Sequence, residues 1–181
     1  MHADTKQIIA RQLFAFLGHK KIEDITVKDL VDACHISRQT FYYHFHDIMD
    51  VMEWGARQAV EQARAEMMAA QEPREAVRVF AIQIVQKKEI YRKLMQSQRR
   101  AEMERILVDA LRAYLQVLFL KKWCNPQLPA ADIKAFLDFF SCGLIGLILK
   151  NCEVGETDTD LLADQIYRLL TGEMRSQLSG S

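Results

Sequence analysis

The stretch that decides the fold is Ile25–Phe45, ITVKDLVDACHISRQTFYYHF. Thr26 and Asp29 form a capping pair, because the hydroxyl can accept a first-turn amide while the acid sits at the positive end of a helix. Val27, Leu30, Val31 and Cys34 then recur at three- and four-residue spacing, which gives that helix one apolar face and turns Lys28, Asp29 and Asp32 to water. Cys34-His35-Ile36 interrupts it, and Ser37, a second N-cap residue, opens another helix through Arg38, Gln39, Thr40, Phe41, Tyr42 and Tyr43. Two helices joined by so short a turn make a helix-turn-helix unit.

Ile36, Phe41 and Phe45 suit the buried side of the second helix. Arg38, Gln39, Thr40, Tyr42, Tyr43 and His44 are left to point outward, and most carry donors that match base edges or phosphates. A plain solvated surface is the bland alternative, but adjacent tyrosines beside Arg, Gln and Thr are a poor choice for solubility alone.

This segment resembles the N-terminal domain of the TetR family of bacterial regulators. That head carries a threonine-capped second helix and a recognition helix ending in an aromatic-Tyr-x-His-Phe string, here Phe41-Tyr42-Tyr43-His44-Phe45 preceded by Ile36-Ser37. The resemblance covers about the first third of the chain. It implies a homodimer whose two heads read a palindromic operator in double-stranded DNA, and a body that takes a small-molecule effector or a partner protein. A looser likeness is to the branch containing regulators of dihydroxyacetone kinase operons, in which some members activate. One feature departs from the family. A lysine usually follows the Phe to hold a phosphate, whereas this chain reads Phe45-His46-Asp47-Ile48, leaving His46 and the amides capped by Asp47 as substitutes. Arg38, Gln39, Thr40 and Tyr43 are the expected base-edge contacts. Thr26, Tyr42, His44 and His46 are expected at the phosphate backbone, with Ser37 at the helix start.

Composition agrees with an all-α chain. Of 181 residues 50% are hydrophobic, Gly and Pro number only 7 and 3, and no segment alternates at period two. Lys plus Arg balance Asp plus Glu at 24 each. Over residues 1 to 57 seven basic side chains face eight acidic ones, so the head has no bulk basic patch and a modest salt dependence is expected. Cys34, Cys124, Cys142 and Cys152 lack metal-ligand spacing and read as reduced thiols. No Gly-rich phosphate loop, paired catalytic carboxylates, nucleophile–base signature or zinc pattern is present, so no enzyme, metal or cofactor is expected. Met1–Ala10 is polar and does not read as a signal peptide, and the apolar run Phe139–Leu149 falls short of the roughly 20 residues a bilayer needs. A cytoplasmic protein without membrane contact is the expectation.

The remaining pattern predicts about nine helices. The first spans residues 4 to 18, with Ile8, Ile9, Leu13, Phe14 and Leu17 on one face and Gly18 as its stop. Asp47 caps a long helix to about Ala70, Pro73 opens the next, and Lys88–Met95 forms a short one. Another runs from about Arg99 to Trp123 and ends at Asn125-Pro126-Gln127-Leu128-Pro129. The last two cover about Ala130–Cys152 and Asp158 or Thr159 to about Leu170. Residues 1–50 read as the helix-turn-helix domain, and 51–181 as a helical effector-binding and dimerisation domain. Phe80, Ile84, Tyr91, Met95, Tyr114, Phe119, Trp123 and Phe140 are candidates to line an effector pocket, although such stripes are usually plain core. The helix from Ala130 is apolar nearly all round and needs cover, so Phe136, Phe140, Gly143, Leu144 and Leu147, with Leu162, Ile166 and Leu169 of the last helix, are the expected dimer interface. A protein-interaction module or coactivator with a weakened DNA-binding head is the alternative.

Overall fold

The computed structural model describes residues 5–70, 72–119, 128–153 and 157–178. Its elements are α1 Thr5–Leu17, a 3-10 turn Ile22–Asp24, α2 Val27–Cys34, α3 Arg38–His44, α4 Ile48–Ala69, α5 Pro73–Gln86, α6 Lys88–Met95, α7 Arg100–Leu118, α8 Ala130–Glu153, α9 Thr159–Thr171 and α10 Glu173–Leu178. No strand occurs among the described residues, in keeping with the all-α pattern. The short α10 was not anticipated. Gly172 ends α9 in the left-handed region at φ 79°, and the chain restarts a helix directly after it. Trp123 and the Asn125-Pro126-Gln127 stop lie outside the described residues, as does Cys124.

Local chemistry sets the head. The Thr26 hydroxyl accepts the Asp29 amide at 3.1 Å, and the Asp29 carboxylate accepts the Thr26 amide at 2.8 Å, closing a reciprocal box at the start of α2. The Thr26 hydroxyl, donating to the Asp29 carboxylate at 2.7 Å, and the Thr26 amide, with the Lys20 ammonium 3.7 Å away, hold the Asp29 carboxyl below the usual carboxylate range. At the other end of α2, His35 occupies the left-handed region at φ 53°, and the Ile36 amide reaches back to the Val31 carbonyl at 3.0 Å. A side chain with a Cβ is strained there. His35→Gly should therefore raise stability by about 0.5 to 1 kcal/mol, read as a higher urea midpoint. A lower midpoint would mean that the imidazole makes contacts worth more than the strain.

Two apolar clusters hold the molecule. One joins Ile9, Leu13 and Leu17 of α1, Leu30 and Val31 of α2, Phe41 of α3, Phe45, and Met49, Val51 and Met52 of α4. It also takes in Leu94 of α6 and Met103 and Ile106 of α7, so residues far along the chain complete the packing of the helix-turn-helix unit. Gly55 permits the close approach of α1 to α4: a Cβ at that position would lie 2.5 Å from a Phe14 ring carbon. The other cluster joins Ala76, Val77 and Ile84 of α5, Leu111, Leu115 and Leu118 of α7, Leu137, Leu144, Ile145 and Ile148 of α8, and Leu162, Ile166 and Leu170 of α9.

Within this second cluster α8 packs chiefly on α7, and α9 on α5. Arg74 of α5 pairs with Asp164 and lies over the Tyr167 ring at 4.3 Å, while Arg78 meets Asp160 at 2.8 Å. These pairs are exposed and set orientation more than stability. The packing corrects part of the expected interface. Leu144, Leu162 and Ile166 are buried to within 2% in the core of a single copy, because the apolar stripe of each helix is wide enough to serve that core first.

Candidate nucleic-acid interface

Ser37 positions α3 by accepting the Thr40 amide at 3.0 Å, and its hydroxyl lies 2.8 Å from that of Thr40. Phe41 then faces inward with no exposure, and Phe45 follows at 2%. With that side fixed, Arg38, Gln39, Tyr42 and Tyr43 are exposed and form two rows at i, i+4 spacing, Arg38 above Tyr42 and Gln39 above Tyr43. Tyr43 keeps 84% of its surface free and Tyr42 56%. The Tyr42 ring stands edge-on to Phe41 at 5.4 Å, and Tyr43 stands edge-on to His44 at 5.0 Å. Both rings are therefore steadied by neighbours while most of each side chain stays exposed.

Three of the expected contact residues have local work to do. Thr26, which also donates to the Asp29 carboxylate at 2.7 Å, spends its hydroxyl as both acceptor and donor in the α2 cap. Ser37 and Thr40 spend theirs on each other and on the α3 start, and Thr40 is half-buried. These side chains fix α3, whereas Arg38, Gln39, Tyr42 and Tyr43 present functional groups on it.

The start of α4 is acidic in a way that bears on the missing lysine. Asp47 accepts the Asp50 amide at 2.9 Å, and Asp50 in turn accepts the His46 amide at 3.1 Å. Two carboxylates thus occupy the N-terminal end where a phosphate would otherwise gain from the helix dipole, which weakens the amides as substitutes for a lysine. Cys34, half-buried at the end of α2, has its thiol pushed up by desolvation, so it stays protonated at neutral pH and is a poor redox centre.

The body contains a cavity of about 100 Å³, partly open to solvent and bounded by α4, α5, α6, α7 and α8. Four of the expected lining residues reach it: Phe80, Ile84, Tyr91 and Tyr114. Phe80 stacks on Tyr114 at 4.8 Å, and the Tyr114 hydroxyl donates to the Ala76 carbonyl at 3.2 Å while burial, with the Glu66 charge adding, pushes its pKa upward. The other three described candidates lie elsewhere. Met95 packs against the head cluster, Phe119 sits 4.8 Å from Phe136, and Phe140 lies tilted against Phe136 at 4.3 Å. Each follows its own helix's apolar stripe into neighbouring core.

Sequence reading missed the α4 wall, Ala56, Ala59, Val60 and Ala63, and also Gln83, Lys87, Leu107, Leu111, Ile145 and Ile148. The signal was available in the small residues Ala56, Ala59 and Ala63, which recur along one side of α4 and leave room instead of filling it. From the cavity, α6 runs to the head, where Lys93 donates to the Leu17 carbonyl at 3.4 Å and to that of Gly18 at the end of α1. The Gln98 amide also donates to Glu23 at 2.6 Å.

On the outer side of α8, Phe139 is 73% exposed, and Cys142, Gly143 and Gly146 are exposed in the same stripe. A Cβ on either glycine would meet nothing within 4 Å, so no described part of the chain uses their smallness. Phe136, Phe140 and Leu147 are half-buried against the core, while α9 leaves Leu161 and Leu169 exposed at 55% and 36%. Among the described residues no helix is long and apolar enough to cross a membrane, and no cluster of side chains is arranged to hold a metal.

Solved structures with this arrangement span nearly the whole chain. The dihydroxyacetone kinase operon activator DhaS aligns over 94% of this chain and 96% of its own, with a TM-score of 0.65 at 16% identity. The fatty acid degradation regulator FadR from Bacillus halodurans aligns over 97% and 98%, with a TM-score of 0.59 at 17% identity. The fold is that of these regulators. A protein from Syntrophomonas wolfei assigned to the TetR family of transcriptional regulators shares it too, over 92% and 95% at a TM-score of 0.54 and 15% identity. No protein-family model matches the chain, and no curated protein matches it.

Proposed function

We infer that the chain is a TetR-like transcriptional regulator that binds a palindromic DNA operator as a homodimer and is modulated by a ligand held in its body. The observation that carries this reading is the outward face of α3, where Arg38, Gln39, Tyr42 and Tyr43 stand free on a helix whose opposite side is sealed by Phe41. Donor-rich side chains on a short helix capped by Ser37 suit base edges in a major groove, and two such heads related by a two-fold axis would read two half-sites. The free stripe of α8 around Phe139 and the glycines supports pairing of two copies. The cavity, joined through α6 to the end of α1, supports modulation.

The test is a gel shift against the upstream region of the protein's own operon. Sequence-selective retardation should appear and be lost in Tyr43→Ala. Arg38→Ala should relax selectivity at one operator position at a cost of roughly 1 to 3 kcal/mol. If Arg38→Ala weakens every sequence equally, Arg38 is a phosphate contact. No selective retardation at low salt would sink the regulator reading.

A second reading, a protein-interaction module or coactivator with a weakened head, is favoured by the seven-to-eight charge balance of residues 1 to 57 and by Asp47 and Asp50 at the start of α4. His46→Lys separates the two. On the regulator reading it should tighten DNA binding and steepen the salt dependence by about 0.9 for each phosphate gained. On the interaction reading DNA binding stays absent.

A further inference from the structure

The cavity in the body has a neighbour. A second hollow of about 60 Å³ lies toward the head, lined by Met52, Leu94 and Met103 and by Phe14 of α1, the ring that rests on Gly55. Both hollows are lined by Ala56, Ala59, Tyr91, Leu107 and Lys87, so they are chambers on either side of one neck between α4, α6 and α7. Each is smaller than the roughly 150 Å³ that accommodates a benzene ring, which favours a slim chain passing through both over a compact ring system in either.

Polar groups on this lining are few and converge on one place. Lys87, at the turn between α5 and α6, borders both chambers and is exposed, and no acid pairs with its ammonium among the described residues. Glu66, the nearby carboxylate, already has both oxygens engaged, by Gln83 at 2.5 Å and by Gln62 at 3.2 Å. Gln83 itself faces the cavity with its amide turned to Glu66. The walls around them are alanine, valine, leucine and isoleucine with Phe80 and two tyrosines.

We propose that the ligand is an unbranched alkyl chain of medium length carrying one carboxylate, its chain laid through both chambers and its anion held by Lys87. This rests on the reading of the body as an effector domain and narrows it to a chemical class. An apolar lining with a single cation at its edge selects such an amphiphile, because the chain leaves water while the charge keeps a partner at the rim. A chain long enough to fill the second chamber touches Phe14 directly, so occupancy is felt by α1 without an intermediary.

Calorimetric titration of the full chain tests this with octanoate, octan-1-ol, octylammonium and butanoate as probes. Octanoate should bind at least tenfold more tightly than octan-1-ol or butanoate, and octylammonium more weakly still. Lys87→Gln should bring octanoate down to the level of octan-1-ol, with Lys87→Arg restoring most of the difference. Ala59→Leu, which narrows the neck, should remove the preference for octanoate over butanoate. Equal binding of octanoate and octan-1-ol overturns the role of Lys87. Equal binding of butanoate and octanoate overturns the continuous path, and no binding of any probe overturns both. DNA binding is measured separately: a chain that shifts its operator but takes none of these probes refutes only the ligand class, whereas one that binds octanoate and ignores DNA refutes the regulator reading.

Discussion

Truncating Leu94 to alanine is expected to cost about 2 to 5 kcal/mol and to loosen the head more than the body. Leu94 is 1% exposed and belongs to α6, yet it lies in the same core cluster as Leu17, Phe41 and Met52 of the helix-turn-helix end of the molecule. The cavity left by the missing methyls would open between α6 and the inner side of α1. Amide exchange in α1, α2 and α3 should therefore accelerate more than in α9, which packs on α5 in the other cluster. If exchange rises only in the body, α6 does not support the head. The same argument predicts that a fragment ending near Arg57 folds poorly, since it lacks Leu94, Met103 and Ile106.

The second large effect concerns assembly. Phe139→Asp should convert a dimer to monomers without unfolding the chain. The ring is 73% exposed in one copy, so its removal leaves no hole. In a two-fold pairing each ring would be buried once, at roughly 1.5 to 3 kcal/mol per side chain, so losing two weakens association by about a hundredfold or more before any repulsion between the new carboxylates. Light scattering at micromolar concentration reads the result. An unchanged dimer would take this side of α8 out of the interface. Leu144→Asp, by contrast, should unfold the protein, because Leu144 is 2% exposed and an aspartate there would be a buried, unpaired charge.

Much of the head was legible because its signals are local. Thr26 with Asp29, Ser37 with Thr40, and Asp47 with Asp50 each close a cap within a few residues, so spacing alone locates the starts of α2, α3 and α4. The inward set Phe41 and Phe45 likewise follows from periodicity. The body resisted because its questions are about which of several apolar stripes meets which neighbour. Phe119, Phe140 and Met95 look like cavity residues in one dimension and are core in three. Leu144, Leu162 and Ile166 look like interface for the same reason, whereas Phe139, five residues before Leu144 and on another side of α8, is exposed. The cavity wall was overlooked because a hollow is marked by small residues, and Ala56, Ala59 and Ala63 read as ordinary helix formers until the helices opposite them are placed. The α10 helix escaped because Gly172 is both the end of one helix and the hinge into another.

On the regulator reading, the two carboxylates at the start of α4 carry a kinetic consequence. A regulator that meets the duplex with Asp47 and Asp50 beside its reading helix gains little from random stretches of sugar-phosphate, so it would slide poorly and dwell briefly at wrong addresses. Its search would proceed mainly by repeated collisions through solution, slower to arrive than a basic protein but seldom detained on the way.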